Sequence, residues 1–74
     1  LTQKTTREKL LSYFSEQALE CGRSDFDIPL DRQQLADYLS VDRSAMSTEL
    51  GRMKKDGLIE YRKNHFTLKQ GMPE

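Results

Sequence analysis

Asp31–Tyr61, DRQQLADYLSVDRSAMSTELGRMKKDGLIEY, holds the signals for two capped helices, a short turn and the start of a strand. Asp31 is an N-cap residue type, and Gln34 stands where its side chain can reach back to the cap backbone. Leu35, Ala36 and Leu39 give a short helix its apolar face, with an end near Tyr38 or Leu39. Ser40-Val41 makes the turn, and Val41 is placed to anchor it in the core. Asp42 caps the next helix, which runs to about Lys55 with Met46, Leu50 and Met53 at i, i+4 and i+7. Such an apolar stripe packs into a core more readily than it forms a binding surface. Asp56-Gly57 ends that helix, because glycine accepts the left-handed conformation of a helix stop.

Moving outward, Leu58, Ile59 and Tyr61 begin a strand. Lys63-Asn64 can make a two-residue turn, Asn64 being tolerant of positive φ, and Phe66 and Leu68 alternate on the return strand. Upstream, Asp25–Leu30 (DFDIPL) alternates in the manner of a half-buried strand, and Pro29, which lacks a backbone donor, places it at an edge or end. Further upstream, Thr5 and Glu8 form a capping box for a helix over about Arg7–Glu20. Leu10, Leu11, Phe14, Ala18 and Cys21 share one face of it, and Gly22 stops it. Residues 69–74 read as a frayed polar tail. The fold class is therefore mainly α with a small antiparallel β-sheet: three helices plus a β-hairpin wing, a winged helix-turn-helix.

Seventy-four residues make one small domain near the lower size limit for independent folding. No apolar run reaches the roughly 18 residues of a membrane span. The first ten residues, LTQKTTREKL, lack the apolar region of a signal peptide. The absence of an initiator Met suggests a fragment or a processed chain. A single cysteine, Cys21, excludes an intrachain disulfide and a multi-Cys metal site. Ala18 and Leu19 beside it suggest a buried thiol that serves packing. Absence of disulfides fits a cytoplasmic protein. His65 stands alone beside Phe66 and reads as a strand residue. With no Cys/His cluster, Gly-rich phosphate loop or nucleophile motif, the sequence gives no basis for an enzyme and none for a bound metal or cofactor.

The formal net charge is zero, but it is unevenly spread. Residues 1–31 carry four basic and six acidic side chains, whereas residues 32–74 carry eight basic and six acidic ones. Such a local excess can steer a polyanion, although charge alone fits an ordinary solvated surface equally well.

The helix from Asp42 to Lys55 carries the candidate chemistry. Arg43, Ser44, Ser47 and Thr48 face away from its Met-Leu-Met stripe and lie in its first two turns. Arg43 can bridge guanine O6 and N7, and the hydroxyls can donate or accept at base edges. The Thr48 methyl can meet a thymine methyl. Arg32 and Gln33 sit where free helix N–H groups favour a phosphate. Arg52, Lys54, Lys55, Arg62 and Lys63 are further phosphate-contact candidates, each weak singly but additive in a salt-dependent affinity. Asp42 is explained by its capping role, and Glu49 is expected to point sideways or to pair with Arg52 or a lysine at the helix end. A winged helix can also serve as a protein-interaction or RNA-binding module, and these residues leave that alternative open.

These residues resemble the DNA-binding domain of the Crp/Fnr family of bacterial transcription regulators. Asp31 to Ile59 is similar, without a gap, to the family pattern R-x-(E/D/Q)-(I/L)-A/G…(L/V)-G-x-(S/T)-R-E-T-(V/I)-S-R-x-L…(L/M)…G-L-I. Thr5–Phe14 resembles the family's lead-in helix. The resemblance implies that base-reading positions fall on Arg43, Ser44, Ser47 and Thr48, and that Arg32 and Gln33 touch backbone. Arg43 matches a common family residue, and Ser47 the serine of Fnr-like members. Ser44 stands where many members have Glu, and Thr48 where many have Arg. Both differences shorten the reach and imply a DNA preference unlike the family's familiar one. Asp42 replaces the frequent Ser or Thr cap.

A full member also has an N-terminal β-roll sensor and a dimerisation helix. The resemblance therefore implies that residues 1–74 are the C-terminal DNA-reading domain of a longer, homodimeric regulator, with the isolated domain standing as a monomer. The implied effector is a cyclic nucleotide, a haem, an iron–sulfur cluster or another small molecule, bound by the sensor. The implied partners are double-stranded DNA and RNA polymerase, with no membrane.

Overall fold

The computed structural model describes residues 5–69, so the tail expected to fray lies, from residue 70 onward, outside the described residues. Helix α1 spans Thr6–Cys21, strand β1 Asp25–Asp27, α2 Arg32–Leu39, α3 Arg43–Lys55, β2 Ile59–Arg62 and β3 His65–Leu68. The strands form one antiparallel sheet in the order β1-β3-β2. β2 and β3 are the hairpin wing, and β1 joins its far side.

Each helix begins at the cap its sequence signals. Thr5 Oγ1 accepts from the Glu8 N–H at 3.1 Å, while the Thr5 N–H donates to Glu8 Oε1 at 2.9 Å. Asp31 and Gln34 repeat this exchange at 2.8 and 2.9 Å. Asp42 Oδ2 accepts from the Ala45 N–H at 3.0 Å. Each cap satisfies donors that the first helical turn leaves without partners. At the other end of α3, Gly57 has φ +82°, and the Leu58 N–H donates to the Met53 carbonyl at 2.9 Å. That bond closes the helix in a Schellman arrangement.

Leu10, Tyr13 and Phe14 of α1, Leu35 and Ala36 of α2, and Met46, Leu50 and Met53 of α3 bury against Phe26, Ile28, Ile59 and Phe66. Phe66 is the centre of this core: its ring stacks on Phe14 at 4.9 Å and on Tyr61 at 5.5 Å. The Met stripe of α3 is thus core, as its spacing implied.

Several expectations change. Cys21 is exposed, not buried, because the packed segment of α1 ends at Ala18 and residues 19–21 face solvent. Tyr13, absent from the predicted face, is buried in its place and meets Tyr38 edge-on. β1 is shorter than Asp25–Leu30: regular pairing stops at Asp27, although the Ile28 N–H still donates to the Asn64 carbonyl at 2.8 Å. β1 does lie at a sheet edge, with Pro29 just beyond it. In the wing turn the positive φ falls on Lys63 (+55°), not on Asn64. That is the sign pattern of a II′ turn, with the left-handed residue first.

Candidate nucleic-acid interface

Ser40 and Val41 determine how α2 presents α3. Ser40 adopts a left-handed conformation (φ 59°, ψ 46°), and the Val41 N–H donates to the Ala36 carbonyl at 2.9 Å. Val41 packs against the core, as its placement implied, and Lys9 of α1 reaches the Ser40 carbonyl at 3.5 Å. The two helices are therefore joined by a short, internally bonded turn.

Arg43, Ser44, Ser47 and Thr48 are all exposed on α3. Among the described residues, none of the four spends its side chain on a hydrogen bond or ion pair within the chain. At about 100° per residue they span an arc of roughly 140° that begins at Arg43, beside the direction of Leu50, and turns away from the buried stripe through Ser47 and Ser44 to Thr48. Polar side chains held on a rigid, anchored helix, with their donors and acceptors unspent, are suited to a partner rich in hydrogen-bonding edges.

The phosphate candidates divide into groups. Arg32, Gln33, Arg43 and Lys63 line one open cleft between the N-termini of α2 and α3 and the tip of the wing, together with Asp31 and Asn64. Lys54 and Arg62 line a second hollow, along the wing, with Tyr61 and His65. Arg52 and Lys55 are exposed on α3 and border neither.

Some of these side chains already hold the structure together. The Arg32 Nη2 donates to the Lys63 carbonyl at 2.8 Å, and its guanidinium lies 5.0 Å from the Phe66 ring centroid and 5.5 Å from that of Tyr61. Lys54 Nζ lies 5.1 Å from the Tyr61 ring. Cations from α2 and α3 thus pack on the wing's aromatic side chains, each contact contributing roughly 0.5–1 kcal/mol. The Gln33 amide donates to Asp37 Oδ1 one helical turn on, at 3.0 Å. Lys63, Arg62, Arg52 and Lys55 make no such side-chain contact among the described residues.

Glu49 pairs with neither Arg52 nor a helix-end lysine. Its carboxylate accepts from Arg7 Nε of α1 at 2.5 Å, and Arg7 Nη2 reaches Asp56 at 3.0 Å. The hydrogen bond that Arg7 donates to Glu49, then that to Asp56, raises the Arg7 pKa above its ordinary value. Arg7 therefore ties α1 to the middle and the end of α3 and occupies two acids of that helix.

Sequence reasoning passed over the pairing of Arg7 and the cation contacts of Tyr61, since nothing local announces contacts between separate elements. It also passed over Gly51. This residue sits inside α3, is exposed, and has no φ in the left-handed region. A β-carbon built on it meets nothing within 4 Å. A helix-interior glycine costs roughly 0.5–1 kcal/mol relative to alanine, and neither the packing nor the backbone of this chain requires it here.

A helix-turn-helix with a packed hairpin wing and an unspent polar face on its second helix defines the class as a winged helix-turn-helix. Within that class, the chain belongs to the Crp-like helix-turn-helix domain family, whose model matches residues 8–70. It is also 35% identical over 68 residues to the transcriptional activator protein FnrL of Cereibacter sphaeroides, a match that covers 80% of this chain and 27% of the relative. The chain thus spans about a quarter of the length of that curated relative. It is a DNA-binding domain of the Crp/Fnr type of transcription regulator.

Proposed function

We propose that this domain reads double-stranded DNA by laying α3 in the major groove, with Arg43, Ser44, Ser47 and Thr48 at base edges. The observation that carries the reading is that all four are exposed on one arc of a core-anchored helix with no partner among the described residues. Arg43 supplies the bidentate contact to guanine, and the three hydroxyls supply shorter, adaptable ones. Gln33, Lys63 and the remaining N–H groups of Arg32 flank the nearer phosphates, while Arg52, Lys54, Lys55 and Arg62 extend the basic rim.

In the whole regulator the domain acts as one half of a homodimer. A small-molecule effector (a cyclic nucleotide, a haem, an iron–sulfur cluster or another ligand) bound in a separate sensor domain controls it. The protein works in the cytoplasm, with RNA polymerase as a further partner and no enzymatic step in this domain.

The test is selection of bound sites from random duplex DNA, followed by titration of Arg43→Ala against selected and unrelated duplexes. The expected result is a large loss on the selected site and little on the other. Equal losses on both would remove Arg43 from the base-reading set. Preference for RNA, or no binding to duplex DNA, would overturn the reading itself. Lys63→Ala is expected to weaken binding to all sequences alike and to reduce the salt dependence.

A further inference from the structure

Gly51 lies within the arc of Arg43, Ser44, Ser47 and Thr48. At about 100° per residue its direction falls between those of Ser47 and Ser44, one turn further along α3. By the same spacing Lys54 and Lys55 straddle that direction about 60° and 40° to either side. Both lysines are exposed, and the Lys54 ammonium also lies 5.1 Å from the Tyr61 ring centroid of the wing. Gly51 is therefore a bare stretch of helix backbone with cations on both flanks, on the face assigned to DNA.

The chain itself supplies no reason for the missing side chain, since the site is open and the backbone is ordinary helix. We infer that Gly51 is a close-approach position, at which a DNA strand seated between Lys54 and Lys55 meets the main chain of α3 more closely than any β-carbon permits. The inference rests on the DNA reading above and adds a steric determinant to it. Glycine at a point of close backbone approach to a ligand is a recurrent use of this residue.

The experiment measures two quantities that should move in opposite directions. Gly51→Ala and Gly51→Leu are compared with the wild-type chain for thermal stability and for affinity to a duplex selected by the wild type. Both residues favour helix over glycine, so Tm is expected to rise by about 2–8 °C in a domain of this size. Affinity is expected to fall about tenfold for Gly51→Ala and further for Gly51→Leu, as overpacking a close contact does. The salt dependence is expected to stay that of the wild type, because no charge has changed. A Gly51→Ala chain that is more stable and binds as tightly as wild type would overturn this inference and leave the DNA reading standing. A wild-type chain that selects no duplex would overturn both.

Discussion

The first two turns of α3 and the β2–β3 wing are both exposed, polar and partly basic, yet they are built in opposite ways. The α3 side chains Arg43, Ser44, Ser47 and Thr48 are bound to nothing within the described chain. The wing is held from several sides: the Lys63 carbonyl by Arg32, the Asn64 carbonyl by Ile28, Tyr61 by Arg32 and Lys54, and Phe66 by the core. Polarity at a surface is thus not one signal. Spent side chains maintain shape, whereas unspent ones on a fixed backbone are left available to a partner. The two regions should separate in experiment, with substitutions of the wing's packed rings and of the cations that hold them moving stability, and substitutions at Arg43, Ser44, Ser47 and Thr48 moving affinity.

The largest separation is expected from Phe66→Ala. Removing the ring that joins the wing to Phe14 should cost about 3–5 kcal/mol of stability, a large part of what a domain this size possesses. Urea denaturation would read this as an early midpoint. Next, Arg43→Ala should weaken binding to a selected site by about 1–3 kcal/mol while leaving the melting curve within about 0.5 kcal/mol of wild type. A comparable loss of stability would show that Arg43 belongs with the wing residues.

Arg32→Ala sharpens the boundary, since this side chain touches the wing and also borders the cleft. Loss of its hydrogen bond and aromatic contacts should destabilise the domain by about 1–2 kcal/mol. Arg32→Lys should recover little of this, because an ammonium cannot reproduce the planar guanidinium contact. A normal melt with weakened DNA binding would instead move Arg32 to the reading face. Ser40→Gly lies in neither region. It relieves a left-handed non-glycine residue and is expected to stabilise by about 0.5–1 kcal/mol with affinity unchanged.

The smallest effect should come from acid. A hydrogen bond from Arg23, partly opposed by desolvation, lowers the Asp25 pKa below its ordinary value of 3.8. Because the folded-state pKa is depressed, the contribution is present above the usual carboxylate range and fades as pH falls through and below it. Asp25→Asn should flatten that part of a stability-versus-pH curve and leave the rest alone.

The comparison also explains what could be read from the residues alone. Thr5, Asp31 and Asp42 act within three or four residues of themselves, so their caps were legible. The α3 face was legible because Met46, Leu50 and Met53 fix which side is buried, and Ser44, Ser47 and Thr48 follow by rotation; Arg43 lies near the direction of Leu50 and is exposed in the first turn of the helix. Contacts between distant residues were not. The left-handed residue of the wing turn lies at Lys63 where Arg32 and Ile28 hold the turn from outside, and local preference pointed to Asn64. Glu49 found Arg7 on another helix. Cys21 shared the spacing of the α1 face, but periodicity does not say where the packed surface stops.

The strand order has one more consequence. With β3 in the middle, β1 and β2 present the two open edges of the sheet. An open edge is a template on which another chain can build a ladder. Here one edge is three residues long, carries Asp25 and Asp27, and is followed by Pro29. The other carries Glu60 and Arg62. Such short, charged borders discourage strand-by-strand growth between copies, so the wing can stand in solvent beside α3 without inviting aggregation.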